Sequence, residues 1–105
     1  MREARVFVHD RLAGYLTEKK AGRRYLFVYL PEYDGPPVSL TLPVRETPYM
    51  FDDFPAVFDG LLPEGIMLDG LLRQAKIDRN DRFSQLLAVG HDLVGALTIL
   101  EAESE

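Results

Sequence analysis

The chain contains no cysteine, which excludes disulfides, thiol catalysis and cysteine-based zinc sites and suits a reducing cytoplasm. Histidine is nearly absent too. His9 and His91 lie far apart with no partner at ligand spacing, and read as turn or surface residues rather than metal ligands. No apolar run approaches the ~20 residues that span a bilayer, and the opening MREARVFVHD lacks the apolar region of a signal peptide. A soluble, cytoplasmic protein is expected. Positive charge is in short supply, with 12 Lys and Arg against 17 Asp and Glu and a net charge of −5. A chain whose main task is gripping phosphate backbone is usually basic, so no direct nucleic acid contact is expected. Phosphate cradles are missing, because Gly90 and Gly95 lack the lysine and the strand-to-helix context. There is no nucleophile elbow, and Asp78, Asp81 and Asp92 lack calcium-loop spacing. Asp52 and Asp53 form an acidic pair, but helix capping explains Asp53 better than acid–base chemistry. No catalytic, cofactor or metal residue is assigned, and the protein is not expected to be an enzyme.

What is present fits one domain over residues 1–105, with 47% hydrophobic and 28% charged residues, enough for a single core. The first third alternates with period two. Arg5 to His9 reads as a strand, His9 to Leu12 as a tight turn, and Leu12, Gly14 and Leu16 as one face of a second strand. After a turn at Lys19-Lys20-Ala21-Gly22, Arg23, Tyr25, Phe27 and Tyr29 share one face of a third strand and Leu26, Val28 and Leu30 the other. Turns this short predict an antiparallel meander. Residues 31–48 are loop-like, with Ser39-Leu40-Thr41-Leu42 as a candidate short strand.

The second half turns helical. Asp53 is a candidate N-cap for a helix with Phe54, Val57, Phe58 and Leu61 in one stripe, ended by Pro63 and Gly65. A second helix carries Leu68, Leu71, Leu72 and Ala75 and fades near Lys76. Asn80 or Asp81 caps a third, with Phe83, Leu86 and Leu87 inward and Gly90 as its stop. Residues 93–100 (LVGALTIL) are apolar on both faces and read as a buried central strand, followed by an acidic, frayed tail over 101–105. The expected fold is α+β: a small antiparallel sheet, made of the N-terminal three-strand meander and a C-terminal strand, packed with about three short helices.

Two features are candidates for function. Lys19, Lys20, Arg23 and Arg24 border the face of Tyr25, Phe27 and Tyr29. That arrangement either stacks single-stranded RNA or packs its aromatics under the helices and leaves the cations solvated. The other is Leu62-Pro63-Glu64-Gly65-Ile66-Met67, where the second helix begins. On a helical wheel Met67 lies at the margin of the Leu68/Leu71/Leu72/Ala75 stripe, and Ile66 falls nearly opposite it. Ile66 is then either an exposed plug for a partner's groove or a staple folded back on Leu61 or Leu62.

Four segments, VFVHDRLAGYLTE, SLTLP, FPAVFDGLLPEG and FSQLLAVGHDLVGALTIL, occur in this order over residues 6–101. Together they resemble the N-terminal subdomain of HipA-type serine/threonine kinases, the toxins of bacterial persistence toxin–antitoxin modules. The kinase body, with its ATP-binding and catalytic residues, has no counterpart in these 105 residues, so no catalytic role carries over. A free-standing subdomain of this kind looks like the HipS-like antitoxins of HipBST modules. The resemblance implies a HipT-like serine/threonine kinase as the partner that is inhibited, and a HipB-like DNA-binding protein in a ternary complex. It further implies aminoacyl-tRNA synthetases as the kinase's targets. On that basis Leu62, Pro63, Glu64, Gly65, Ile66 and Met67 are the expected partner-binding residues, reaching toward the kinase's nucleotide cleft. The alternative is a structural N-terminal segment of a HipA-type kinase.

Overall fold

The computed structural model describes residues 1–93 and 95–102. Five strands form one antiparallel sheet in the order β4-β3-β2-β1-β5: β1 Arg2–Val8, β2 Arg11–Lys20, β3 Arg23–Tyr29, β4 Tyr49–Phe51 and β5 Leu97–Glu101. Helices α1 Ala56–Asp59, α2 Gly65–Ala75 and α3 Arg82–Val89 lie between β4 and β5, with a 3-10 turn at Gly90–Asp92. The fold is α+β. No helix among the described residues is long and apolar enough to cross a membrane.

The meander follows from its turns. His9 and Asp10 both take positive φ, 49° and 66°, the left-handed pair that joins two strands with a two-residue turn. Gly22, at φ 73°, closes the second hairpin at no steric cost. Pairing runs Ala4↔Leu16 and Val6↔Gly14 between β1 and β2, and Leu16↔Phe27 and Gly14↔Tyr29 between β2 and β3. One register shift, between Val6 and Phe7, places Phe7 opposite Leu12. The shift makes Ala13 the extra residue and turns Leu12 off the Gly14/Leu16 face on which the alternation had placed it. Gly14 also has a packing reason: a Cβ there would stand 2.2 Å from the Val28 carbonyl oxygen.

Ala4, Val6, Val8, Leu16, Phe27, Phe58, Phe83, Leu86 and Ile99 form the buried core, most of them with no exposed surface. The aromatics interlock. Tyr25 meets Phe54 edge-on at 5.3 Å and stacks against Phe83 at 6.5 Å, and Phe27 lies 5.9 Å from Phe58. The face bearing Tyr25, Phe27 and Tyr29 is therefore the one the helices cover, with those side chains no more than 3% exposed.

Several elements differ from the sequence expectation. Ser39 to Leu42 is a tight turn with a single bridge, closed by the Leu42 N–H on the Ser39 carbonyl at 3.0 Å. The Ser39 hydroxyl accepts the Thr41 N–H within the same turn, a local bond that competes with strand pairing. Asp53 caps nothing: Pro55 is the N-cap of the four-residue α1. The three-residue β4 lacks a period-two pattern long enough to read. The C-terminal strand starts at Leu97 and occupies the sheet edge, paired only with β1. Its outward side chains Thr98 and Leu100 stay half-buried, so apolarity on both faces does not mark a central strand here. Val94 of the expected strand, and 103–105 of the expected tail, lie outside the described residues; Glu101 belongs to β5 and the Ala102 N–H bonds the Glu3 carbonyl at 2.9 Å.

Candidate partner-binding site

Between α1 and α2 the chain makes a sharp change of direction. The Leu61 and Leu62 N–H groups still bond back to the Phe58 and Asp59 carbonyls, at 3.1 Å each, but Pro63 has no N–H with which to continue the spiral. Glu64 is extended at φ −130°, ψ 163°, and Gly65 follows at φ +59°, a left-handed step that a Cβ would strain. α2 then starts loosely, with a first backbone bond, Leu68 N–H to the Glu64 carbonyl, of 3.4 Å. Leu62 packs against the core and Pro63 is half-buried, whereas Glu64 and Gly65 are exposed. Ile66 and Met67 are 88% and 76% exposed. The staple reading of Ile66 is thereby excluded, since a side chain folded onto Leu61 or Leu62 would be covered. The six residues thus divide into an anchored base and a bare apolar tip.

The body of α2 rests lightly on the domain. It has no fully buried residue; Leu68, Leu71 and Leu72 are half-buried. Its far end is well fixed. Lys76 takes the left-handed conformation, and the Ile77 N–H bonds the Leu72 carbonyl at 3.0 Å, a Schellman-type stop in which Lys stands where Gly is usual. Arg79 ties the loop after the helix to Asp69 at 2.6 Å. The buried Gln85 amide donates to the Asp78 and Arg79 carbonyls at 3.2 and 2.9 Å. Asp81 caps α3, accepting the Ser84 N–H at 3.1 Å. Gln85, Arg79 and Asp69 position the tip through its base. Sequence periodicity gave no sign of them, because each acts through a contact across a loop. A cleft of about 360 Å³ beside the tip is lined by Leu62, Pro63, Leu68, Arg79 and Arg82 among others.

Perturbed titratable groups gather elsewhere. Glu18, 3% exposed, accepts from Arg2 Nε at 2.8 Å, the Gly22 N–H at 3.2 Å and the Tyr25 hydroxyl at 3.2 Å. Burial opposes its charge, yet Arg2 and those hydrogen bonds outweigh it and hold the carboxyl below its ordinary range. Asp81 is lowered in the same way: burial opposes, and Arg2 at 2.8 Å and Ser84 prevail. Tyr25 is pushed up to about 12 by burial and by the Glu18 charge. Arg2 also lies 4.9 Å over the Phe83 ring. This network joins β1, β2 and α3 with its charges mutually paired, which is the arrangement of a structural clamp rather than of a catalytic acid and base. The residues set aside for acid–base or metal chemistry are likewise dispersed: His9 sits in the β1–β2 turn, and Asp52 and Asp53 are exposed ahead of α1.

The structure is a two-layer α+β domain with a bare apolar tip at the start of α2. The chain belongs to the HipA N-terminal domain family, whose family model matches residues 4–100. It is 34% identical over 101 residues to an uncharacterized protein of Haemophilus influenzae, a match covering 96% of this chain and 93% of that relative. Among solved structures it is similar to the N-terminal domain of HipA toxin, with a TM-score of 0.77 and 30% identity, covering 100% of this chain and 96% of that one.

Proposed function

We propose that the protein is a HipS-like antitoxin that binds a HipT-like serine/threonine kinase and holds it inactive. In this reading residues 62–67 form the inhibitory contact, and a HipB-like DNA-binding protein completes the complex. The observation that carries the reading is the pair Ile66 and Met67, left 88% and 76% exposed at the start of a helix in a domain that buries its phenylalanine core. Exposed apolar anchors surrounded by polar surface mark protein docking sites. Family membership and the likeness to the N-terminal domain of HipA toxin support a kinase as the partner. The Haemophilus influenzae relative, matched over 93% of its length, supports a domain that works on its own.

The test is autophosphorylation of a HipT-like kinase, titrated with the purified protein. Loss of activity that saturates near one equivalent is the expected result. Full activity in the presence of demonstrable binding would overturn the antitoxin reading. It would favour instead the second reading, a structural N-terminal lobe of a HipA-type kinase, for which the 0.77 TM-score against the toxin's own domain speaks. The RNA reading of the basic-aromatic face is not retained, because Tyr25, Phe27 and Tyr29 are covered by the helices and present no ring to a base.

A further inference from the structure

The four cations of the β2–β3 turn remain without a role. Lys19, Lys20 and Arg24 wall an open groove of about 610 Å³ whose floor is Leu26, Met50 and Phe51, a size typical of ligand clefts. None of the ion pairs among the described residues uses these three side chains, although Arg2, Arg11, Arg79 and Arg82 are each paired. Asp52 is the single carboxylate in the lining. In a protein of net charge −5 the groove is therefore a local positive site. Arg24 holds positive φ, 55°, an uncommon conformation for a non-glycine residue that the Arg24 N–H bond to the Asp52 carbonyl fixes at 2.9 Å. The floor is apolar and open, with Met50 81% exposed. The groove crosses three strands, with Lys19 and Lys20 from β2, Arg24 and Leu26 from β3, and Met50 from β4.

We infer that this groove docks an extended acidic segment of a protein partner, laid across β2, β3 and β4. Its carboxylates meet Lys19, Lys20 and Arg24, and an apolar side chain between them covers Met50 and Leu26. Charge pairing selects the acidic segment, and burial of the apolar side chain adds affinity. A nucleic acid strand suits the groove less well. The Tyr25 ring is buried and presents no stacking face, and the acidic molecule repels a polyanion at long range. The groove shares no residue with the tip at 62–67, so it does not depend on the kinase reading.

A short fluorescein-labelled peptide of alternating glutamate and leucine serves as the probe, with an alternating lysine–leucine peptide and an oligouridylate as controls. Binding is followed by fluorescence anisotropy and by amide shifts in the two-dimensional NMR spectrum. The expected result is saturable binding of the glutamate peptide alone, with shifts confined to residues 19–26 and 49–52. The double variant Lys19→Glu/Arg24→Glu weakens it at least about tenfold, while Arg73→Glu on α2 leaves it unchanged. Preserved amide dispersion establishes that the variants fold. Absence of saturable binding, shifts centred on 62–67, indifference to the charge reversals, or equal binding of oligouridylate would each overturn the inference.

Discussion

Replacing Ile66 and Met67 together with aspartate separates docking from folding, because the structure assigns these side chains almost nothing to do within the domain. At 88% and 76% exposure they contribute little to the core, and surface substitutions of this kind stay within about 0.5 kcal/mol of neutral. The first turn of α2 has no acidic residue, so new carboxylates there also complement the helix dipole, by about 0.3–1 kcal/mol each. Stability is therefore expected to hold or rise slightly. Docking behaves oppositely. Burying an isoleucine and a methionine in a partner is worth about 1.5–3 kcal/mol each, so their loss costs about 3–6 kcal/mol, or roughly 10²–10⁴ in Kd. Desolvating the two carboxylates adds to that. Calorimetric titration against the HipT-like kinase reads the affinity, autophosphorylation reads inhibition, and urea denaturation reads the fold. An inhibition curve unchanged by the double variant would refute the tip as the inhibitory contact. A fall in the urea midpoint would refute the premise that Ile66 and Met67 stand clear of the core.

Three further outcomes test the architecture that presents the tip. Arg2→Leu removes the partner of a buried carboxylate and three hydrogen bonds, to Glu18, Ser84 and Asp81. A loss of about 2–3 kcal/mol in urea denaturation is expected, at or below the low end for broken buried pairs because Arg2 itself is partly exposed. In the wild type, Glu18 and Asp81 have folded pKa values below their unfolded ones. Their contribution is complete above about pH 5 and disappears as the pH falls through the folded values; Arg2→Leu should flatten that acid limb, measured as urea midpoints across pH. Gly90→Ala brings a Cβ to within 2.1 Å of the Ile99 carbonyl oxygen, and an overpacking cost of about 2–3 kcal/mol is expected in thermal denaturation. Gln85→Leu frees the Asp78 and Arg79 carbonyls, and faster amide exchange is expected over 76–81, with a stability loss of about 1–2 kcal/mol.

Gly90 also shows what a sequence conceals. A glycine after an amphipathic stripe reads as a helix stop, and α3 does end there, yet Gly90 is right-handed at φ −63° and would tolerate alanine on conformational grounds. Its necessity comes from Ile99, which lies on the adjoining strand β5. Nothing local in the sequence announces that approach. The same holds for β4, whose three residues pair with Leu26 and its neighbours across a long proline-rich loop. The meander was legible because alternation and two turn signals agreed, and α2 was legible because Gly65 marked its start. The position of Ile66 off the apolar stripe followed from that start. Its exposure did not, since a staple on Leu61 or Leu62 fitted the same pattern, and only the structure shows the side chain 88% exposed. Where the tip's occupant is concerned the sequence has only the family resemblance to offer, since a plug and a surface isoleucine have the same local pattern.

The domain divides its stability in a way that suits a projecting tip. The meander, α3 and the Arg2–Glu18–Asp81 clamp share the buried aromatics. α2 contributes no fully buried side chain and is fixed at its far end by Gln85 and the left-handed Lys76, with one exposed ion pair, Arg79 to Asp69, on its second turn. A helix held at its far end leaves its opening turn free to be defined by a partner, and changes there need not propagate to the core. The β4 groove is built from the opposite resource, the paired strands β2, β3 and β4. An acidic segment seated there meets a surface already held by strand pairing, whereas a cleft closing on Ile66 and Met67 orders a loosely seated turn. The two surfaces should therefore differ in thermodynamic signature. Binding at the tip should be accompanied by increased amide protection along 65–72, while binding at β4 should leave those amides unchanged. Hydrogen exchange on each complex distinguishes them, and protection of 65–72 by the acidic peptide would contradict the separation of the two sites.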